Sequence, residues 1–241
     1  MHDLKTVSAE QWKRLSERTV YFGHQSVGAN IVEGIREIEA ANPQIRLRVS
    51  SGERTAASGV LNEFYIGRNE DPDSKNDAFV TATRGAIGEQ PVLMFKYCYV
   101  DVDEKTDPKK LFARYRETVE KLRAQQPNAT ILHVTLPLMT EPSLVRVAMN
   151  RVRGLATHRE ENAIRQQYNE LLRATYGGKE PVFDLAAIES TRSDGTLEYG
   201  TMNGKAVPAL AREWSTDGGH LNEAGRRRVA EQLLVTLATL R

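Results

Sequence analysis

Five short runs rich in β-branched and aromatic residues recur along the chain: TVYFG at 19–23, IRLRV at 45–49, VLMFKYCYV at 92–100, TILHVTL at 130–136 and PVFDL at 181–185. Stretches with helical period lie between them. Residues 29–40 place Ile31, Ile35 and Ile38 on one face. Residues 107–127 open with Pro108 at a helix-start position and carry Leu111, Tyr115, Val119 and Leu122 at helical spacing. Residues 74–87, 159–178 (closed by Gly177 and Gly178) and 222–240 continue the series. Strand and helix alternating five times leave few folds open, because parallel neighbours need right-handed crossovers that cover both faces of the sheet. The expectation is an α/β fold, a three-layer α/β/α sandwich around a five-stranded parallel sheet. A length of 241 residues suits one domain over 1–241 and a core that needs no staples.

In such sheets ligands bind beyond the carboxyl ends of the strands. Ser26 follows the first run at that edge, in a glycine-flanked turn that feeds a helix. Three stretches, 50–73, 137–158 and 186–220, exceed ordinary connectors, and long loops tend to be functional. The last contains TMNGKAV, which predicts a hairpin around Asn203 and Gly204. The apolar positions Leu144, Val147 and Leu155 in the middle stretch suit a lid, a dimer contact or a packed insertion.

The charges exclude some partners. Lys and Arg (33) nearly balance Asp and Glu (32), so no overall field favours nucleic acid. Arg226, Arg227 and Arg228 form the densest basic patch and suit the solvated face of a helix. The single cysteine, Cys98, lies in an apolar run and is expected to be a buried small hydrophobe. No run approaches the ~20 apolar residues of a membrane span. No signal segment starts the chain, although MHDLKTVSAEQ equally suits a trimmed start, so a cytoplasmic and an exported protein both remain open. With no His-Glu-x-x-His, cysteine cluster, Gly-x-Gly-x-x-Gly or Walker loop, neither a metal nor a nucleotide cofactor has a basis in sequence. The flank of Ser26 is Gly-x-x-Ser-x-Gly, not the Gly-x-Ser-x-Gly of an α/β-hydrolase elbow.

A second stretch, STDGGHLNEAG at 215–225, sets Asp217 three residues before His220 in a turn that opens the terminal helix. A serine hydroxyl is a weak nucleophile until a base takes its proton, and a histidine is an effective base when an acceptor fixes its other ring nitrogen. Asp-x-x-His meets the second need locally, and the topology brings both turns to one sheet edge. Taken singly, Ser26 reads as a helix N-cap and Asp217 as a turn former. Taken together with His220, in this order, they read as a nucleophile, an orienting acid and a base.

This order resembles the SGNH hydrolase superfamily, the GDSL-like esterases and lipases, whose sheet is flavodoxin-like. FGHQSVG at 22–28 is similar to the family's first block, with one extra residue before the serine, and DGGHLN at 217–222 is similar to its last. The resemblance implies Ser26 as nucleophile, His220 as base and Asp217 as orienting acid, with no metal or organic cofactor. It also implies an oxyanion hole, for which the Ser26 N–H, Gly67 and Asn69 in FYIGRNEDP are available. After the third run the family's Gly-x-Asn-Asp is replaced by KYCYVD at 96–101, which leaves one donor unassigned. The implied activity is hydrolysis of small acyl esters, O-acetyl groups on carbohydrate among them. His24 is positioned to line such a site, and Glu198, Tyr199, Asn203 and Trp214 to meet a sugar. An acyltransferase with the same triad and a non-catalytic glycan-binding domain stay open beside it.

Overall fold

The first apolar run becomes strand β1 (Thr19–His24), buried along its whole length because it has a neighbour on either side. The computed structural model describes residues 3–85, 87–143 and 157–240, together with 147, 149, 152 and 153. Within them β2 (Arg48–Ser50), β3 (Val60–Tyr65), β4 (Pro91–Phe95) and β5 (Thr130–Ile131) join β1 in a parallel five-stranded sheet of order β2-β3-β1-β4-β5. The fold is α/β, as the alternation predicts.

The strands differ from expectation in ways that bear on the site. β3 lies inside the stretch that reads as a long connection, because VLNEFY interrupts its apolar character with Asn62 and Glu63. Asn62 is nonetheless buried: its Oδ1 accepts from the Thr55 N–H at 2.8 Å and its Nδ2 donates to the Thr55 carbonyl at 3.0 Å. The run at 45–49 contributes only a three-residue edge strand, while Ile45 and Leu47 turn into the core. The run at 130–136 is divided between two partners. Its first residues pair with β4, and β6 (His133–Val134) then pairs with β7 (Val182–Phe183).

Alternation along β1 sorts the helices into two layers. Val20 and Phe22 face α1 (Ala9–Ser16), α2 (Val27–Ala41) and the last helix, α7 (Glu223–Thr239). Tyr21 faces α3 (Pro72–Ala82), α4 (Pro108–Gln125) and α5 (His158–Tyr176). A short helix, α6 (Leu185–Ser190), follows β7. The expected hairpin forms as β8 (Tyr199–Met202) and β9 (Lys205–Pro208), turning through Asn203 at φ 52° and Gly204 at φ 74°. Cys98 is fully buried. Leu144 and Leu155 lie outside the described residues. Among the described residues no helix is long and apolar enough to cross a membrane.

Two helices set the site. α2 and α7 lie against each other so closely that a Cβ on Gly34 would stand 2.5 Å from the Arg226 carbonyl and 2.8 Å from the Ala230 Cβ. At the same end the Leu221 N–H donates to Asn30 Oδ1 at 3.2 Å. The N-termini of α2 and α7 therefore open side by side, beyond the carboxyl end of β1.

His133 gives the fold a pH dependence. It is fully buried, with Nδ1 2.8 Å from the Tyr115 hydroxyl and Nε2 3.1 Å from Glu180. Burial outweighs Glu180 and lowers its pKa from 6.5 to about 4. Above pH 6.5 both states hold a neutral ring. As pH falls towards 4 the unfolded chain takes up a proton that the fold refuses, and about 2–3 kcal/mol of stability is lost. Urea denaturation between pH 7 and pH 4 should show this loss and show a shallower one in His133→Gln. Equal slopes would place its origin elsewhere.

Candidate active site

Ser26 occupies the N-cap position of α2, yet its side chain makes no capping hydrogen bond, and its backbone sits at φ 52°, ψ −114°. Such a conformation costs a residue with a Cβ on the order of 1–3 kcal/mol and persists where the surroundings impose it. Two contacts impose it here. A Cβ on Gly28 would stand 2.3 Å from the His24 Cβ, so the first turn of α2 presses directly on the end of β1. Gln25 then anchors the turn to the next strand's loop, donating through Nε2 to the carbonyls of Ile66 (3.1 Å) and Gly67 (2.8 Å). The result aims Ser26 Oγ at His220 Nε2, 2.6 Å away.

His220 is held by its own turn. Its Nδ1 lies 2.6 Å from Asp217 Oδ2, while Asp217 Oδ1 accepts the backbone N–H groups of Gly219 (2.9 Å) and His220 (2.8 Å). Burial raises the Asp217 pKa, but those N–H groups and the imidazole outweigh it and hold the carboxyl well below its usual range. The carboxylate thus keeps the proton of a neutral ring on Nδ1 and turns the lone pair of Nε2 towards Ser26. Ser215 locks the turn, donating through Oγ to the His220 carbonyl at 2.6 Å, and the Thr140 N–H donates to the Gly218 carbonyl at 2.9 Å.

Gly67 and Asn69 follow β3 at the same sheet edge. Gly67 adopts φ 52°, and a Cβ there would stand 2.5 Å from the Lys75 backbone nitrogen. The backbone N–H groups of Ser26 and Gly67 donate to no protein group among the described residues. Asn69 is exposed, and its Oδ1 accepts from Lys75 Nζ at 3.1 Å, which leaves the NH2 end of the amide turned away from the lysine. Lys75 is itself paired with Asp101 Oδ2 at 2.5 Å, both side chains fully buried. Asp101 also accepts the N–H groups of Glu70 (2.9 Å) and Cys98 (2.7 Å). The KYCYVD block is thus a buckle that ties the loop after β3 to the loop after β4. Nothing local in the sequence signals this pairing.

Not every residue singled out in the sequence reaches this edge. His24 is fully buried, with Nε2 2.9 Å from Glu63 Oε2 and its ring between Phe22 and Tyr65. Burial lowers its pKa, and the hydrogen bond from His24 holds Glu63 down at about 2, so a neutral imidazole donates to a carboxylate. His24 supports the turn from beneath and offers no face to a ligand. Trp214 is also buried: Nε1 donates to the Thr191 carbonyl at 2.9 Å, and the Arg228 guanidinium covers the ring at 4.7 Å. Glu198 is paired with Arg192 at 2.6 Å, whereas Tyr199 is exposed. The basic triplet is likewise only partly a solvated face, since Arg226 pairs with Glu37 and Arg228 packs on Trp214.

One residue at the edge was not read from the sequence. Tyr99, in the 3-10 turn Tyr99–Asp101, brings its hydroxyl to 3.4 Å from His220 Nε2. It also lines a cavity of about 600 Å³ together with Glu70, Asp103, Thr106, Met139 and Glu161. Among the described residues no group of three or more His, Cys, Asp or Glu is placed to hold a metal ion.

No family profile and no curated protein matches the sequence. Solved structures do. A GDSL-like lipase from Bacteroides thetaiotaomicron superposes with TM-score 0.57 at 12% identity, covering 95% of this chain and 98% of that one. An acetyl xylan esterase, AlAXEase, superposes with TM-score 0.50 at 16% identity, covering 90% and 97%. At these identities the likeness establishes the fold, which is that of the SGNH hydrolases.

The close approach at Gly28 is testable on the fold itself. Gly28→Ala forces a methyl group into His24 and should destabilise the chain by about 1–3 kcal/mol. Gly52→Ala, where a Cβ meets nothing within 4 Å, should cost far less. Thermal unfolding of the two variants distinguishes them, and equal melting temperatures would refute the packing argument.

Proposed function

We propose that this chain is a serine esterase that hydrolyses small acyl esters through Ser26, His220 and Asp217. One observation carries the reading. The strained Ser26 leaves its own helix end uncapped and instead meets His220 Nε2 at 2.6 Å, while Asp217 meets Nδ1 at the same distance. A structural N-cap would have no need of the φ of 52° or of a histidine whose tautomer is fixed from behind.

In this reading Ser26 Oγ attacks the acyl carbon as its proton passes to Nε2. The oxyanion forms at the N-terminus of α2, where the Ser26 and Gly67 N–H groups can receive it and the helix dipole favours negative charge. The Asn69 amide is the third donor, its orientation set by Lys75 and, through Lys75, by Asp101. The tetrahedral adduct collapses, and the departing alkoxide takes the proton from Nε2. Water then attacks the acyl-enzyme, gives its proton to Nε2, and the acid leaves as Ser26 recovers its hydrogen. Tyr99 borders both this centre and the cavity, which suits the alcohol portion of the substrate. Acetylated carbohydrate is the class we favour. Its support is the fold shared with an acetyl xylan esterase and the polar side chains of Glu70, Asp103 and Thr106 around the cavity.

Intact-mass analysis after treatment with a small fluorophosphonate tests the nucleophile without knowledge of the substrate. One adduct on the parent and none on Ser26→Ala is the expected result. Asp217→Asn should fold normally and lose on the order of 10⁴ in turnover of an acetyl ester, because an amide can no longer hold the required tautomer. A folded parent that takes no adduct would refute the assignment and favour a glycan-binding role.

A further inference from the structure

The Tyr99 hydroxyl completes a triangle with Ser26 Oγ and His220 Nε2. It lies 3.4 Å from Nε2, the same nitrogen that Ser26 Oγ meets at 2.6 Å. Its placement is tightly determined. The two ring planes of Tyr99 and His220 meet at 75° with centroids 5.7 Å apart. A Cβ on Gly219 would stand 2.7 Å from Tyr99 Cζ, so the ring rests on the backbone that carries the histidine. From behind, Arg165 donates to the Tyr99 carbonyl through Nε (3.2 Å) and a terminal nitrogen (2.7 Å), and Arg165 is almost fully buried.

The third vertex of that triangle has a chemical meaning. Nε2 delivers its proton to the departing oxygen in the first half of an acyl transfer and removes one from the attacking oxygen in the second, so both oxygens must pass beside it. Tyr99 stands there, and it is also one of the residues that line the neighbouring cavity. The oxyanion donors proposed above lie instead with the Ser26 and Gly67 N–H groups at the start of α2 and the end of β3.

We propose that the Tyr99 hydroxyl holds the oxygen that leaves and the oxygen that arrives: the substrate's alkoxide in acylation, the attacking water in deacylation. This rests on the esterase reading. The phenol keeps its own proton throughout. It donates a hydrogen bond to the alkoxide while Nε2–H supplies the proton that makes it an alcohol, and in the return step it orients the water whose proton passes to Nε2. Burial raises the Tyr99 pKa, so the hydroxyl remains a donor at neutral pH.

The role is a dependence on the leaving group, which packing or oxyanion binding would not produce. The measurement is kcat/KM for 4-nitrophenyl acetate and for ethyl acetate, in the parent and in Tyr99→Phe. Nitrophenoxide leaves without help, whereas ethoxide needs both the proton and the hydrogen bond. The expected loss is about tenfold or more on ethyl acetate, the worth of one hydrogen bond to a charged oxygen, and under about threefold on the nitrophenyl ester. Equal losses on both esters, or none on either, would overturn the proposal. Should Tyr99→Phe not fold, Gly219→Ala retains the phenol but sets a methyl group 2.9 Å from its hydroxyl and should show the same selectivity. A parent that hydrolyses neither ester and takes no phosphonate at Ser26 would overturn the esterase reading itself, an outcome separate from a labelled parent with no leaving-group effect.

Discussion

The contact between Gly28 and His24 governs this architecture more than any other. Helix α2 must begin almost on top of the last residue of β1, and only a residue without a Cβ permits that approach. The turn then has two residues, Gln25 and Ser26, in which to reverse direction, and the second is driven to positive φ. The buried imidazole beneath is kept neutral by its burial, which outweighs the pull of Glu63, and is held in place by the hydrogen bond from its Nε2 to that carboxylate on the neighbouring strand. The strain at Ser26 is therefore balanced by packing at Gly28 and by a hydrogen bond between adjacent strands. It is not a local accident of the loop.

A second constraint fixes the partner. Because Gly34 lets α2 and α7 approach closely, the residues preceding α7 are carried to the start of α2. His220 and Asp217 are about half exposed, as the proposed role of His220 as a base requires. The groups that position the rim are not: Lys75 and Asp101 are fully buried as a pair. Removing one partner of such a pair leaves an uncompensated charge and costs several kcal/mol, so their geometry is well determined even though their net contribution to stability is small. Precision near the surface is thus obtained from charges beneath it.

How far the sequence revealed all this depends on the range of each interaction. Asp217 and His220 were legible because three residues in one turn bring them together, and Ser26 because strand, glycine-flanked turn and helix follow one another in the chain. β3 was not, since Asn62 and Glu63 break its apolar run. Both are polar for reasons that lie elsewhere in the fold, Asn62 bonding Thr55 and Glu63 bonding His24. The place of His24 two residues before Ser26, and of Trp214 in a long polar loop, suggests contact with a substrate, but both are buried, and burial is decided by neighbours that no local pattern names. Tyr99 and Lys75 went unread for the same reason.

The block after β4 shows how a departure from a familiar pattern is absorbed by the surrounding structure. In place of the Gly-x-Asn-Asp of the family it resembles, this chain carries KYCYVD, in which Tyr99 and Asp101 meet different partners. Asp101 reaches back to Lys75 and to the Glu70 N–H, which sets the loop holding Asn69. The buried pair thus ties the loop that carries Asn69 to the loop after β4. Tyr99 is then free to face His220. Asn69 is thus held from below by Lys75, and the Tyr99 carbonyl is clamped by a buried arginine.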